Sequence, residues 1–362
     1  MPREWSLRLE RLRFPLIVGV VFIHAYPVTV NWCGLHLGLS HPELWEKLVR
    51  QFFSQGICRI PVPMLFLCSG FLLFRGLERF PVAVYLQKLK SRFRSLGIPY
   101  LFWNFWTLFW IALVQQTPFA SFFAETYPVA RFGPLDYGNA LLGVTHAPIA
   151  YQLWFVRNLL VLVLLSPWII WFLRRLGAVY LGGLGFLWFT QHWPLYIPDI
   201  PGLFFFSCGG YLAWKRWNLE KLDRWRGLFV LAYLAVLSWD LAHKGLPGNG
   251  FVHRAGLLLG ILTVWTWSRS LVADTPWNAF LSRWASASFF LYAMHEPMLM
   301  VLRKTLYVLF HPGTDILVLL FYFLSIAGVV GICMGLYRLL LRVCPGFLGW
   351  ITGGRSIRIF SA

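Results

Sequence analysis

Apolar residues in this chain follow neither the alternation of a strand nor the single stripe of a surface helix; they come in long blocks separated by short polar and basic segments. The blocks fall at 14–31, 58–74, 97–114, 152–173, 177–193, 201–214, 227–242, 254–268, 286–308 and 316–341. A transmembrane helix needs about 20 mostly apolar residues. The pattern therefore predicts an all-α, polytopic membrane helix bundle of about ten transmembrane helices, with residues 1–362 forming one membrane-embedded domain. Several blocks are short or interrupted by Gly and Pro. Lipid tolerates this only where neighbouring helices or a water-filled cavity satisfy the freed backbone groups, so the bundle is expected to enclose a polar space. The first thirty residues are basic and then apolar, like a signal peptide. No small-x-small site follows the apolar run and Pro27 stands where cleavage would fall, so an uncleaved first span is expected. The segment from Ser40 to Phe53 carries Leu44, Leu48 and Phe52 on one face and reads as a short helix lying in the membrane interface.

Composition narrows the class. The chain is 58% apolar and 13% charged, with a mean hydropathy of +0.63; soluble domains carry about 25% charged residues, which excludes a water-soluble fold. The net charge of +18 does not point to nucleic acid, because the basic residues gather at one set of block ends. These ends hold Arg3, Arg8, Arg11 and Arg13, the stretch from Arg75 to Arg94, Arg174 and Arg175, the stretch from Lys215 to Arg226, Arg269 and Arg283, and then Arg338, Arg342, Arg355 and Arg358. The positive-inside rule makes that side cytoplasmic and places both termini there. The same face suits membrane lipids and phosphates. The cysteines at 33, 58, 68, 208, 333 and 344 lack metal-ligand spacing, so no metal is expected. Cys33 and Cys58 both fall near the outer face, where an oxidising compartment permits a disulfide.

Ionisable groups at membrane depth are costly and are functional candidates by default. Arg13 and His24 are eleven residues apart, about three helical turns, which puts them on one face roughly 16 Å apart. Arg13 then lies at the cytoplasmic end and His24 near the midplane. His295 and Glu296 of SFFLYAMHEPM fall at a similar depth. A histidine there can take a proton from a hydroxyl or accept an acyl group; the bland alternatives are a structural histidine and a carboxyl bonded across helices. Ser69 and Gly70 serve either close helix approach or a donor. Arg59, beside Pro61 and Pro63, either faces a cavity or reaches outer headgroups. Lys88, Arg92 and Arg94 suit a polyphosphate or plain lipid attraction. Trp154 and Arg157 of QLWFVRNLL suit a sugar ring or a boundary belt. No GxSxG, Walker loop, HExxH or GxGxxG occurs in a fitting context.

Five segments in order carry a likeness: RFPLIVGVVFIHAY, CRIPVPMLFLCSGFLLF, LWFVRNLL, FFFSCGGYLAW and FFLYAMHEP. Together they resemble the acyltransferase-3 family of bacterial integral-membrane O-acyltransferases, which decorate surface and secreted polysaccharides. The resemblance implies an acyl-CoA donor, acetyl-CoA first, entering from the cytoplasm, and a polysaccharide or lipid-linked glycan acceptor. It also implies the bacterial inner membrane, exopolysaccharide biosynthesis, and a polysaccharide synthase complex as a further partner. His24 inherits the catalytic role, with His295 and Glu296 beside it. Arg13, Ser69, Lys88, Arg92 and Arg94 are the expected donor contacts, and Arg59, Trp154 and Arg157 the expected acceptor contacts. One departure is Arg92-Phe93-Arg94, where the family has Arg-x-x-Arg. The rival expectation is a glycan or lipid-linked sugar transporter, or flippase, without acyl-transfer chemistry.

Overall fold

The computed structural model describes residues 3–32, 34–77, 80–117, 119–120 and 128–354. Helix α1 (Arg3–His24) is followed by an antiparallel hairpin of β1 (Thr29–Trp32) and β2 (Leu35–Gly38), which is all the strand among the described residues. Then come α2 (Leu44–Phe74), α3 (Val82–Val114), α4 (Pro134–Leu142), α5 (Trp154–Leu164), α6 (Ser166–Leu176), α7 (Ala178–Thr190) and α8 (Ile200–Lys215). The rest is α9 (Leu219–Ala242), α10 (Asn249–Val272), α11 (Pro276–Trp284), α12 (Ser288–Phe310), α13 (Asp315–Val343) and α14 (Pro345–Ile351).

Apart from the first, which runs from α1 into β1, the apolar blocks lie on helices, but five of these helices, α2, α3, α9, α10 and α13, are long and apolar enough to cross a membrane. They become six if the α5–α6 pair, bent by 65°, counts as one span. The chain is a multi-pass membrane protein. The other helices fall short of the ten for physical reasons: α7 and α8 have 13 and 16 residues, α1 is rich in charge, and α12 carries His295, Glu296, Arg303 and Lys304.

The first block is displaced from its expected limits. Helix α1 starts at Arg3, not 14, and His24 is its last residue rather than a mid-helix one. Its arginines enter the helix because they find buried partners, described below. It stops because Pro27 disfavours helical backbone at Tyr26, and the hairpin follows. The expected interfacial helix at 40–53 is also not separate, since α2 runs unbroken from Leu44 to Phe74. A π-helical turn at Gln51–Gly56 and a 3-10 turn at Ile57–Arg59 carry it up to Pro61. Pro61 has no N–H for the Ile57 carbonyl, which instead accepts from Ile60 N at 3.3 Å. The basic run from Lys88 to Arg94 likewise lies within α3, which relaxes through a π-helical turn at Phe93–Gly97 before Pro99. Cys58 is a buried free thiol, and Cys33 lies outside the described residues, as do Arg79, Glu125, Arg355 and Arg358.

Two compact units share the chain. The first comprises Met1–Leu16, Gly56–Phe93 and Asn158–Ala285. In it the second half of α2 meets α8 backbone to backbone: a Cβ on Gly70 would lie 2.0 Å from the Phe206 carbonyl oxygen, and one on Gly209 1.9 Å from that of Leu67. Arg8 is 1% exposed and holds Asp223 by two hydrogen bonds of 3.2 and 2.6 Å. Arg11 donates to Ser282 Oγ at 2.9 Å and to the carbonyls of Leu271 and Ala273. Two arginines expected to mark the cytoplasmic side therefore also staple the unit.

The second unit comprises Ile17–Gln55, Arg94–Arg157 and Ser286–Ala362. Buried Arg50 pairs with Glu46 at 2.5 and 2.9 Å and donates to the Tyr26 carbonyl at 2.8 Å, fixing the chain just after α1. Ser54 Oγ donates to the Phe22 carbonyl at 2.5 Å and lies 2.7 Å from the Tyr322 hydroxyl. Val30 of the hairpin packs with Tyr307 and Phe321. Trp103 of α3 donates to the Ile351 carbonyl at 3.0 Å.

Candidate active site

The site grows from a proline. Pro297 lies inside α12 and has no N–H, so the carbonyl of Ala293, four residues earlier, loses its helical donor. A buried carbonyl left alone costs about 1–3 kcal/mol. The Gln152 side chain fills the gap, donating from Nε2 to Ala293 O at 2.9 Å. The Tyr292 hydroxyl returns the contact by donating to the Gln152 carbonyl. This reciprocal clamp pins the 3-10 turn Tyr151–Leu153 against α12. The turn is held from its other side by Asn104 of α3, whose side chain accepts from Ala150 N at 3.1 Å.

Tyr151 is thereby set between two ionisable groups. Its hydroxyl lies 3.1 Å from His24 Nδ1 and also bonds the Glu296 carboxyl. His24 Nδ1 and Glu296 Oε1 are 3.9 Å apart, beyond hydrogen-bond reach, so the phenol bridges them. When the Glu296 carboxyl is ionised, the donors run one way: Nδ1–H to the Tyr151 oxygen, then O–H to the carboxylate. With Nδ1 protonated, His24 Nε2 carries the lone pair, the arrangement by which a carboxylate orients a histidine base in hydrolases.

The ring of His295 lies 5.2 Å from that of His24, yet the two differ in access. The His24 side chain is 15% exposed, whereas His295 is fully buried. His295 Nδ1 donates to the carbonyls of Tyr292 at 2.8 Å and Leu291 at 3.3 Å, and Nε2 has no partner among the described residues. Of the two histidines, His24 is the one with exposed surface. The sequence singled out His24, His295 and Glu296, and the fold gathers all three. It missed Tyr151 and Gln152, for which the one sequence signal was a helical proline whose orphaned carbonyl required a partner.

The remaining expected residues are spread over both units. Arg13, Ser69, Lys88, Arg92 and Arg59 belong to the first. Arg92 is close enough to Arg13 and Lys88 for their like charges to repel, and among the described residues no carboxylate is bonded to the three. Such a cluster is relieved by an anion. Ser69 spends its hydroxyl on the Leu65 carbonyl at 2.7 Å, next to the glycine contact of α2 with α8. Arg59 is half-buried in the 3-10 turn of α2. Arg94, Trp154 and Arg157 belong to the second unit. Arg94 is exposed, and half-buried Trp154 opens α5. Arg157 is buried and donates to the carbonyls of Gly143 at 2.5 Å and His146 at 3.2 Å, so it braces the loop after α4. No group of three or more His, Cys, Asp or Glu side chains suited to a metal ion occurs among the described residues.

Comparison with known proteins bears on the whole chain. A family described as an acyltransferase domain matches residues 7–338. The chain is 27% identical over 388 residues to the succinoglycan biosynthesis protein ExoH of Rhizobium meliloti (strain 1021), a match that covers 98% of this chain and 94% of that protein. No solved structure matches.

Proposed function

Since the chain belongs to the acyltransferase-3 family and is thus a membrane acyltransferase, we propose that it moves an acyl group, acetyl first, from cytoplasmic acyl-CoA to a sugar hydroxyl of an exported polysaccharide or its lipid-linked precursor. The observation that carries this reading is the hydrogen-bonded line from His24 through Tyr151 to Glu296. In the proposed step His24 Nε2 takes the proton of the sugar hydroxyl, and the oxygen attacks the thioester carbonyl. The C–S bond breaks, and the thiolate leaves as the imidazolium is held by Tyr151 and Glu296. Acyl transfer first to His24 is the alternative order of events. Arg13, Lys88, Arg92 and Arg94 are the proposed holders of the donor's phosphates, because guanidinium and ammonium groups suit a polyphosphate and, among the described residues, no carboxylate is bonded to Arg13, Lys88 or Arg92. Arg59 and Trp154 are the proposed acceptor contacts.

The likeness to ExoH supports a polysaccharide acceptor. The bacterial inner membrane, cytoplasmic termini and a synthase partner are parts of the same proposal. The test uses membranes holding the whole protein, labelled acetyl-CoA and an extracted glycan acceptor. His24→Ala should remove labelled glycan while the protein level is unchanged; full labelling by that variant would end the reading. A pure transporter would neither bind nor hydrolyse acetyl-CoA.

A further inference from the structure

Where α2 and α8 end, the first unit holds two adjoining cavities of ≈650 and ≈440 Å³, both within the roughly 300–1,000 Å³ of small-molecule sites. They share Trp5, Phe71 and Trp217, so they form one cleft with two branches. Its chemistry is divided. The larger branch is edged by Arg75 and Arg216, together with Glu220, whose carboxylate already accepts from Trp5 Nε1 at 2.6 Å. The smaller branch is walled by aliphatic and aromatic side chains such as Leu9, Ile261 and Trp265, with Lys221 as its charged group. Trp5 stacks on Phe71 at 5.2 Å and meets Trp265 edge-on at 4.7 Å, so its indole is spent on the wall. Hydrocarbon fits such a branch, whereas a nucleobase would find few partners for its polar edge.

A second observation concerns Arg216. It ends α8 with a φ of +53°, the left-handed conformation that glycine normally supplies at a helix C-terminus. A side chain there strains the backbone. The chain therefore bears a local cost to present a guanidinium at the rim of this cleft.

We propose that the cleft binds an anionic membrane lipid, with its phosphate on Arg75 and Arg216 and one acyl chain in the branch between Leu9 and Trp265. Charge complementarity at the rim and the apolar depth select this occupant over a neutral lipid or a free anion. The cleft is built from residues of the first unit alone, and the proposal does not depend on the proposed reaction.

The test is native mass spectrometry of the whole protein in detergent, with phosphatidylglycerol or phosphatidylcholine added. Phosphatidylglycerol should be retained about tenfold better. Combining Arg75→Ala with Arg216→Gly should erase that preference, while the thermal midpoint of Arg216→Gly alone stays level or rises, because glycine relieves the left-handed strain. Leu222→Trp, which fills the apolar branch, should lower retention of both lipids. Undiminished phosphatidylglycerol retention in the double variant would overturn the proposal. So would loss of coenzyme A binding with lipid retention intact, which would give the cleft to a nucleotide.

Discussion

Each unit contains a buried carboxylate facing a cation or potential cation, and the two pairs are built differently. In the first unit Asp223 takes both oxygens' worth of hydrogen bonds from Arg8, and both side chains are 1% exposed. In the second, Glu296 stands 3.9 Å from His24 and reaches it through a phenol, and the imidazole keeps 15% of its surface open. The closed pair is sealed from solvent on both sides, so its work is structural. The open pair leaves part of an imidazole exposed, which the proposed chemistry requires and a staple does not.

Four single variants and two double variants test that contrast. The largest effect belongs to His24→Ala, expected to lower acyl transfer roughly 10²–10⁴-fold, measured as labelled glycan in membranes with equal protein. Asp223→Ala strands a buried guanidinium and should cost about 3–5 kcal/mol, seen as loss of folded protein on detergent extraction. Replacing both partners, Arg8→Met with Asp223→Leu, should restore much of that yield; if it does not, the pair is more than a staple. Tyr151→Phe breaks the bridge without emptying space. It should cut turnover roughly 10- to 100-fold with donor affinity unchanged, since a hydrogen bond to a charged group is worth about 1.5–3 kcal/mol. The smallest effect is that of Gln152→Leu, expected to destabilise by about 1–3 kcal/mol through the unpaired Ala293 carbonyl. Adding Pro297→Ala should recover part of this loss in thermal unfolding, because alanine returns the helical N–H to that carbonyl.

Much of the helical layout could be read from the sequence, since all the apolar blocks but the first fell on helices and His24, His295 and Glu296 came together. The limits of α1 and α2 could not. Arg8 and Arg11 look like loop charges until Asp223, Ser282 and the carbonyls of Leu271 and Ala273 are seen to receive them. The run from Ser40 to Phe53 looks separate from the next block because the π-helical and 3-10 turns that carry α2 to Pro61 leave no mark in hydropathy. Tyr151 and Gln152 escaped because they lie in a short turn at the edge of a block, where pattern says little and only a partner on α12 gives them meaning. Arg157 was legible as polar, but its use on Gly143 and His146 depends on a loop whose path no periodicity encodes.

The glycine crossing at Gly70 and Gly209 has a mechanical consequence. Two backbones in direct touch, with neighbouring oxygens already in the space a methyl would need, leave little room to slide or roll. The latter half of α2 and all of α8 must travel as one plank in any rearrangement that accompanies turnover. Even an alanine at either position would act as a wedge that prises the plank apart.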